Sequence, residues 1–121
     1  MTMTQKMPQA SPSVPVTRNP PQVGQGATLV YPEDRYPYII IGVSPSGHRI
    51  TLQEVQAKAV APADTHNGFP VFDHVYSEAE LAQAELLKRT VTATRRRDGS
   101  YYVGGSKMEI GQARYYRDYS S

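Results

Sequence analysis

The stretch that decides the fold is residues 38–53, YIIIGVSPSGHRITLQ. Residues 38–43 form a continuous run rich in β-branched side chains, which predicts a strand buried on both faces. The segment 44–47, Ser-Pro-Ser-Gly, is typical of a turn. Ile50 and Leu52 then alternate with polar residues, which predicts a second strand with one apolar face. The stretch therefore predicts an antiparallel hairpin and, with it, a β-rich domain.

The segment before this hairpin adds a third predicted strand. Residues 27–31 alternate between apolar and polar side chains, a pattern that indicates a strand. Residues 32–37 contain two prolines, which restrict the backbone and predict a loop. Three strands joined by short connections form a meander.

The chain is less regular between the hairpin and residue 77. Residues 54–60 fit either a strand or a helical turn, 61–70 predict a loop, and 71–76 predict a short strand. Ser77 and Glu80 then form a capping box, in which each side chain satisfies a backbone N–H at the start of a helix. Because Ala, Leu, Glu and Gln follow, we expect a helix over residues 78–88.

The last third of the chain predicts another hairpin. Residues 90–97 alternate as a strand, with threonines on one face. The Asp98-Gly99 pair is the strongest hairpin signal in the sequence, and residues 101–103 are the expected return strand. Residues 113–119 are predicted to close the domain.

Together these elements predict a mainly β protein. The expected architecture is a small, SH3-like, partly open barrel or an antiparallel sheet of about five or six strands, with one short inserted helix. We assign residues 23–121 to this single domain, with the helix near 78–88. Residues 1–22 contain five of the ten prolines and lack a hydrophobic period, so we predict a disordered, Pro-rich tail there.

The composition narrows the classes of partner. The sequence has no cysteine, which excludes disulfides, cysteine metal sites and thiol nucleophiles. Nine tyrosines and no tryptophan supply most of the aromatic content, and a small tyrosine-based core favours a homo-oligomer. No apolar run is long enough to predict a membrane partner. No apolar segment follows Lys6, so no signal peptide is predicted.

Charge is distributed unevenly along the sequence. Residues 88–121 carry eight Lys and Arg side chains against three Asp and Glu, whereas residues 31–87 carry three against eight. Basic side chains interleaved with tyrosines suit an anionic, flat-faced partner such as a nucleotide. The net charge of the whole chain is only +2, which is low for a general nucleic-acid binder. The pattern therefore favours a nucleotide-type small molecule over nucleic acid, which is retained as a less favoured partner.

From this pattern we predict a ligand-binding set of seven residues. Four arginines would neutralise phosphate and three tyrosines would stack on a base: Arg35, Arg95, Arg97, Arg114, Tyr36, Tyr102 and Tyr116. Within the strand over residues 90–97, alternation places Arg95 and Arg97 on one face and Arg96 on the other.

Purely structural roles are the competing interpretation for the same residues. Arg35 could pair with Asp34 to hold its loop while the neighbouring tyrosines fill the mouth of the barrel. The arginine run could be a solvated edge strand that resists aggregation.

The sequence contains no recognisable catalytic or metal-binding pattern. His66 and His74 each lie near an aspartate, but their spacing matches no standard metal site. No Gly-x-Ser-x-Gly motif is present to position a nucleophile. We therefore predict a protein that is not an enzyme, with no catalytic residues, no metal and no cofactor.

Several motifs, taken together, resemble a known family. They are Val23-Gly24-x-Gly26-Ala27-Thr28, Asp34-Arg35, the arginine-rich strand with Asp98-Gly99, and the closing pattern Ile110-Gly111-x-x-x-Tyr115-Tyr116-x-Asp118-Tyr119. The set resembles a family of small, uncharacterised proteins found mainly in tailed bacteriophages, over roughly residues 23–53 and 90–120. The resemblance implies a phage accessory protein in the cytoplasm of the infected bacterial cell. The predicted helix departs from that family, in which the corresponding region is a polar strand or loop.

These observations lead to two functional hypotheses. The favoured one is a non-enzymatic accessory protein that acts on a host protein or sequesters an anionic nucleotide-type ligand, as a counter-defence. The alternative is a virion or assembly protein that docks through its Pro-rich tail and its tyrosine-rich surface.

Overall fold

The computed structural model of the protein describes residues 20–57, 62 and 64–119. The predicted tail, residues 1–22, lies outside the described residues except for its last three positions. Order at the start of the domain is visible at Gln22, whose backbone oxygen accepts a hydrogen bond from the backbone N–H of Gln25.

The described residues contain nine strands and one helix. They are β1 (Gly26–Val30), β2 (Arg35–Val43), β3 (Arg49–Val55), β4 (Asp64–His66), β5 (Phe69–Val75), α1 (Glu78–Gln83), β6 (Leu86–Arg95), β7 (Tyr101–Val103), β8 (Ser106–Ile110) and β9 (Arg114–Asp118). The predicted mainly β fold with one short inserted helix is confirmed. Within the part of the chain described here, no helix is long and apolar enough to cross a membrane.

Six of the strands close into an antiparallel barrel. The order is β1-β8-β7-β6-β3-β2, and β2 pairs back onto β1 to complete the ring. The remaining strands continue the sheet outward from β2 in the order β9-β5-β4. We call β9, β5 and β4 the extension. The structure is therefore a closed barrel with a three-stranded extension attached to one of its strands.

Alternating side chains from every barrel strand fill the interior. The buried set is Ala27, Leu29, Tyr38, Ile40, Ile50, Leu52, Ala93, Tyr101 and Met108. Ile50 and Leu52 are among them, as the alternation predicted. Burial raises the pKa of Tyr38 to about 12.

The expectation that residues 38–43 are buried on both faces is wrong. Tyr38 and Ile40 point into the barrel, but the Ile41 side chain is 41% exposed. The register of β2 against β3 shifts between Ile40 and Gly42, which marks a β-bulge. A bulge leaves one residue without a partner and re-aims its side chain, and here it turns an isoleucine toward solvent.

Helix α1 is shorter than the sequence predicted. Its capping box is present, since the Ser77 hydroxyl accepts from the Glu80 backbone and the Glu80 carboxylate accepts from the Ser77 backbone. The helix nevertheless ends at Gln83 instead of residue 88, because Leu86 pairs with Val55 at the start of β6. The backbone after the helix therefore forms hydrogen bonds to β3, instead of the additional helical turn that helix propensity alone predicts.

Two other boundaries differ from the sequence prediction. Residues 61–70, expected to be a loop, contain the β4–β5 hairpin, whose turn is Asn67-Gly68 with both φ angles positive. An Asn-Gly pair favours this two-residue turn, so the signal was present in the sequence. Residues 35–37, expected to be a loop, belong to β2 because they pair with β1. The φ angle that proline imposes also permits an extended backbone.

Helix α1 packs on the barrel at a glycine. Leu81 joins Val55, Tyr76 and Ala113 in a second buried cluster beside β1. A Cβ atom placed on Gly26 would lie 2.7 Å from the Leu81 side chain and 3.0 Å from the Ala113 backbone nitrogen. The missing side chain of Gly26 therefore allows the helix and the β8–β9 connection to approach β1 closely.

We predict that Gly26→Ala destabilises the protein by about 1–3 kcal/mol, the usual range for overpacking a filled core. The reason is that the Ala113 backbone cannot move aside as a flexible side chain can. Urea unfolding followed by circular dichroism measures the change. Gly105→Ala is the matched control, because a Cβ there meets nothing within 4 Å. Equal stability of the two variants would contradict the packing argument.

Candidate functional site

The seven residues predicted to bind a ligand fall into two groups in the structure. Arg35 and Tyr36 on β2 lie beside Arg114 and Tyr116 on β9. Arg95, Arg97 and Tyr102 belong to the β6–β7 hairpin. The two groups have different charge environments, and this difference determines which of them can hold an anion.

Three members of the first group, Arg35, Arg114 and Tyr116, line a cleft at β2 and β9, and Tyr36 is not part of its lining. Arg35 is directly opposite Tyr116. The cleft has a volume of about 460 Å³ and is also lined by Glu33 and Asp118. Two carboxylates therefore share the space with the two arginines, so the cleft has no clear positive charge.

The arginines of this cleft have partners within the chain. Arg114 makes a two-point contact with Asp73, with its Nε and Nη2 atoms 2.8 and 2.9 Å from the two carboxylate oxygens. The hydrogen bonds from Arg114 lower the pKa of the Asp73 carboxyl, and they raise the pKa of the Arg114 guanidinium. Arg35 donates to the backbone oxygens of Tyr31 and Asp34, at 2.8 and 3.0 Å. Arg35 thus holds its loop through carbonyl groups.

Tyr36 belongs to an aromatic cluster at one end of the barrel. Its ring packs against Tyr31 at 5.6 Å and against Tyr115 at 6.2 Å, measured between centroids. Its hydroxyl donates to the Asp34 carboxylate at 3.3 Å. Burial raises the pKa of Tyr36, and it raises that of Tyr115 to about 12. This packing matches the structural interpretation in which tyrosines fill the barrel mouth.

The second group surrounds a tight hairpin loop formed by Arg97, Asp98 and Gly99. Gly99 has a φ of +87°, and the Arg96 backbone N–H bonds to the Ser100 oxygen at 2.8 Å. The Asp98 carboxylate accepts from the Ser100 backbone at 2.9 Å and from the Tyr102 hydroxyl at 3.0 Å. Both hydrogen bonds lower the pKa of the Asp98 carboxyl, and the bond from the Ser100 backbone has the larger effect. The hairpin predicted at Asp98-Gly99 is present, and its loop is held by its own side chains.

The arginines of this hairpin are arranged differently from the prediction. Strand β6 ends at Arg95, so Arg97 lies in the loop and does not share a strand face with Arg95. Arg96 is the arginine that contacts Tyr102: its guanidinium carbon lies 4.3 Å from the ring centroid. Its Nη2 atom also donates to the backbone oxygen of Gly104. Both contacts leave the positive charge of Arg96 in place, because neither partner is anionic.

Strand pairing aligns Tyr102 with two further cations across the outside of the barrel. Arg49 is opposite Thr94, Thr94 is opposite Tyr102, and Tyr102 is opposite Lys107. Neighbouring residues Ile50, Ala93, Tyr101 and Met108 point inward, so this row points outward.

A second outward row continues with Thr51 opposite Thr92. We call this set the outer face: Arg49, Thr51, Thr92, Thr94, Arg96, Tyr102 and Lys107.

The outer face carries positive charge that is not neutralised by ion pairs. Arg49, Arg96 and Lys107 are exposed. None of the ion pairs found among residues 20–57, 62 and 64–119 involves them; those pairs join His66 to Asp118, His74 to Glu80 and Arg114 to Asp73. One carboxylate lies on the face: Asp98 accepts a hydrogen bond from the Tyr102 hydroxyl at 3.0 Å, and the nearby charges of Lys107 and Arg96 contribute to the lowering of its pKa. The cations of the face therefore outnumber its carboxylates without being free of them. Arg95 is on the same face of the strand as Ala93, and therefore on the other face of the sheet from Tyr102.

Sequence reasoning missed part of this arrangement. Arg49 was not singled out, although its alternation with Ile50 indicated an outward side chain. Lys107 lies on a different strand from Arg49, and only the pairing of β3, β6, β7 and β8 places the two on the same surface. Such non-local pairing has no signature in a single sequence.

Two of the three histidines, His66 and His74, each contact a carboxylate. His66 Nδ1 lies 3.0 Å from Asp118, and His74 Nε2 lies 2.9 Å from Glu80. The His74 contact joins β5 to the capping box of α1. No group of three or more His, Asp or Glu side chains that could hold a metal ion occurs in the described part of the chain.

Comparison of the chain with family models, with curated proteins and with solved structures found no match. The resemblance to the small phage family therefore stays a prediction from the quoted motifs. Proposals about function rest on the chemistry of the surfaces described above.

We predict that Asp73→Asn lowers the free energy of unfolding near neutral pH by about 0.2–1 kcal/mol, as expected for a partly exposed ion pair. Asp73 has a lower pKa in the folded than in the unfolded chain. Its stabilisation is thus complete above the unfolded pKa of about 3.9 and disappears as the pH falls through the folded value.

Urea unfolding at a series of pH values, down to about pH 2, measures this difference. A cycle with Arg114→Gln and the double variant isolates the pair from the other effects of each substitution. A coupling free energy that stays constant down to the lowest pH would show that ionisation of Asp73 is not its source.

Proposed function

We propose that this chain is a non-enzymatic binding protein whose outer face holds an anionic, nucleotide-type ligand. The observation that supports it is that Arg96, stacked on Tyr102, lies on the same face as Arg49 and Lys107, and that none of these three cations takes part in an ion pair with another described residue. Three cations against the single Asp98 carboxylate leave an excess of positive charge beside an ordered aromatic ring. Positive charge and a flat surface are what a phosphate-bearing aromatic ligand needs.

Each type of side chain on the face has a role in this proposal. Arg49 and Lys107, at the two ends of the row, each offer a contact to phosphate oxygens, Arg as a planar two-point donor and Lys as a point charge. The Arg96 guanidinium, held against Tyr102 and Gly104, offers its plane to a base. Threonine hydroxyls at positions 92 and 94 donate to the remaining oxygens.

The cleft between β2 and β9 is a weaker candidate for the same ligand. Arg114 is neutralised by Asp73, and Glu33 and Asp118 would repel a phosphate. Displacing Asp73 from Arg114 would cost the two-point contact and leave a carboxylate beside the ligand. We therefore assign the ligand to the outer face. Of the seven residues predicted from sequence, Tyr102 is then a direct contact and Arg97 lies at the border of the outer face.

We also propose a biological setting, which rests on the family resemblance alone. A phage accessory protein in the cytoplasm of an infected bacterium would use such a site to sequester a nucleotide-type host signal. This is a counter-defence role that requires binding and no chemistry.

A second candidate is an interaction protein that docks through the extension. Its support is the exposure of large apolar or aromatic side chains there: Phe69 is 53% exposed, Val75 45% and Tyr119 44%. Aromatic residues of this kind frequently anchor protein interfaces. The partner is a host or virion protein, or a second copy of the chain in a homo-oligomer.

The first proposal predicts a loss of ligand affinity on removing the cations of the outer face. In isothermal titration with a panel of nucleoside mono-, di- and triphosphates, we expect Arg49→Ala with Lys107→Ala to weaken binding at least about tenfold. The reason is that each charge-assisted hydrogen bond contributes about 1.5–3 kcal/mol. Arg114→Ala is the control and should bind like the unmodified protein. Loss of binding in the control alone would place the site in the β2–β9 cleft, and no binding by any protein would reject the proposal.

The second candidate predicts that Phe69→Ala reduces association. Sedimentation equilibrium of the purified protein, with and without the substitution, measures self-association. Leu87→Ala is the control, because Leu87 is also an exposed apolar side chain but lies on β6, outside the extension. An unchanged mass distribution for Phe69→Ala would remove the extension as the self-association surface.

A further inference from the structure

We infer that the ligand of the outer face is single-stranded nucleic acid, which crosses strands β3, β6, β7 and β8. This inference rests on the proposed function and names the class of ligand. Four observations carry it: the convex shape of the face, the separation of its cations, its small polar floor, and its single stacked aromatic ring.

The shape of the face disfavours a small ligand. Small-molecule sites are concave and enclose most of the surface of the ligand. The outer face is the outside of a closed barrel, so side chains on neighbouring strands diverge as they leave the backbone. A single phosphate group resting on this surface would meet one cation well and the others poorly.

The spacing of the cations suits an extended polyanion. Arg49 and Lys107 lie three strand spacings apart, and neighbouring strands are separated by about 4.8 Å, which gives about 14 Å between their backbones. Arg96 and Tyr102 lie between them. A chain that carries a phosphate at each nucleotide can contact the cations one after another, whereas a mononucleotide can use only one end of the row.

The floor beside the row of cations is made of small, mostly polar residues. Thr51 is opposite Thr92, and Gly42 is opposite Thr51 on the other side of β3. Glycine and threonine leave the backbone surface low, so a sugar-phosphate chain can lie close to it and accept hydrogen bonds from the hydroxyls. Ile41, turned outward by the bulge in β2, adds an apolar side chain at the edge of this floor.

The aromatic contact favours a single strand over a duplex. A base can stack on the Arg96–Tyr102 pair only if its own face is open, and in a duplex the base faces are covered by their neighbours. Basic surfaces with aromatic side chains are typical of proteins that bind single strands without sequence preference. The low net charge of +2, which disfavoured nucleic acid at the level of sequence, is not decisive, because the local field depends on the cations grouped on one face.

Fluorescence anisotropy with a labelled oligothymidylate of about 10 nucleotides, within the usual site size of about 4–16 per small barrel, tests the inference. We expect the oligonucleotide to bind at least about tenfold more tightly than thymidine monophosphate and than a duplex of the same length. The logarithm of the association constant should fall with the logarithm of salt concentration with a slope of about −1.4, as the two phosphate contacts of Arg49 and Lys107 to a single strand imply.

Substitutions separate charge from stacking. Arg49→Ala with Lys107→Ala should weaken binding and flatten the salt slope by about 1.4, because two phosphate contacts are lost. Tyr102→Leu should weaken binding with the slope unchanged. Arg114→Ala, in the β2–β9 cleft and outside the outer face, is the control and should bind like the unmodified protein. Circular dichroism of each variant confirms folding.

The outcomes distinguish this inference from the proposed function. Equal affinity for the monophosphate and the oligonucleotide would overturn the inference and leave the nucleotide-type site standing. Equal affinity for duplex and single strand would overturn it as well, since stacking would then have no role. Binding to neither ligand would reject both proposals. Similar binding of oligouridylate supports the inference, because the contacts described are to phosphate and base face and not to the sugar.

Discussion

The structure depends on one strand with three neighbours. Strand β2 hydrogen-bonds to β1, β3 and β9, so it closes the barrel and also carries the extension. It can do so because it is nine residues long, bends at the bulge after Ile40, and shares one of its edges between β3 and β9. Closure pairs strand edges that would otherwise be open to aggregation. The described edge strand β4 is only three residues long, and the Asp64 carboxylate accepts from the Thr65 backbone along it.

Closure also determines where charge is compensated. In the extension, β5 and β9 lie side by side, and Arg114 meets Asp73 there while Asp118 meets His66. On the barrel, the outward positions of β3, β6 and β7 carry threonines, Arg49 and Tyr102, and the one carboxylate that reaches the row is Asp98, bonded to the Tyr102 hydroxyl. Opposite charges thus pair with each other in the extension, and the cations on the outer face of the barrel remain available to an external anion. The binding proposals follow from this separation more than from the total charge.

Local signals in the sequence predicted much of the fold. Alternation at Ile50 and Leu52, the capping box at Ser77 and the hairpin at Asp98-Gly99 all specify backbone conformation within a few residues, and the structure contains each of them. The Asn67-Gly68 hairpin was overlooked although its signal is equally local. The candidate site was only partly predictable: Tyr102 was identified, whereas Arg49 was not, and Arg114 was assigned a free charge that Asp73 neutralises.

The sequence by itself determined which segments are extended, where the tight turns fall and where the helix begins, because these features depend on φ and ψ preferences and on hydrogen bonds between near neighbours. Tertiary structure alone decided where the helix ends, since Leu86 pairs with Val55 thirty-one positions away. It also decided that Arg49 and Lys107 flank Tyr102 and that Asp73 holds Arg114. Those outcomes depend on strand order and register, which arise when distant segments bury a common core and cannot be read from any short stretch of the chain.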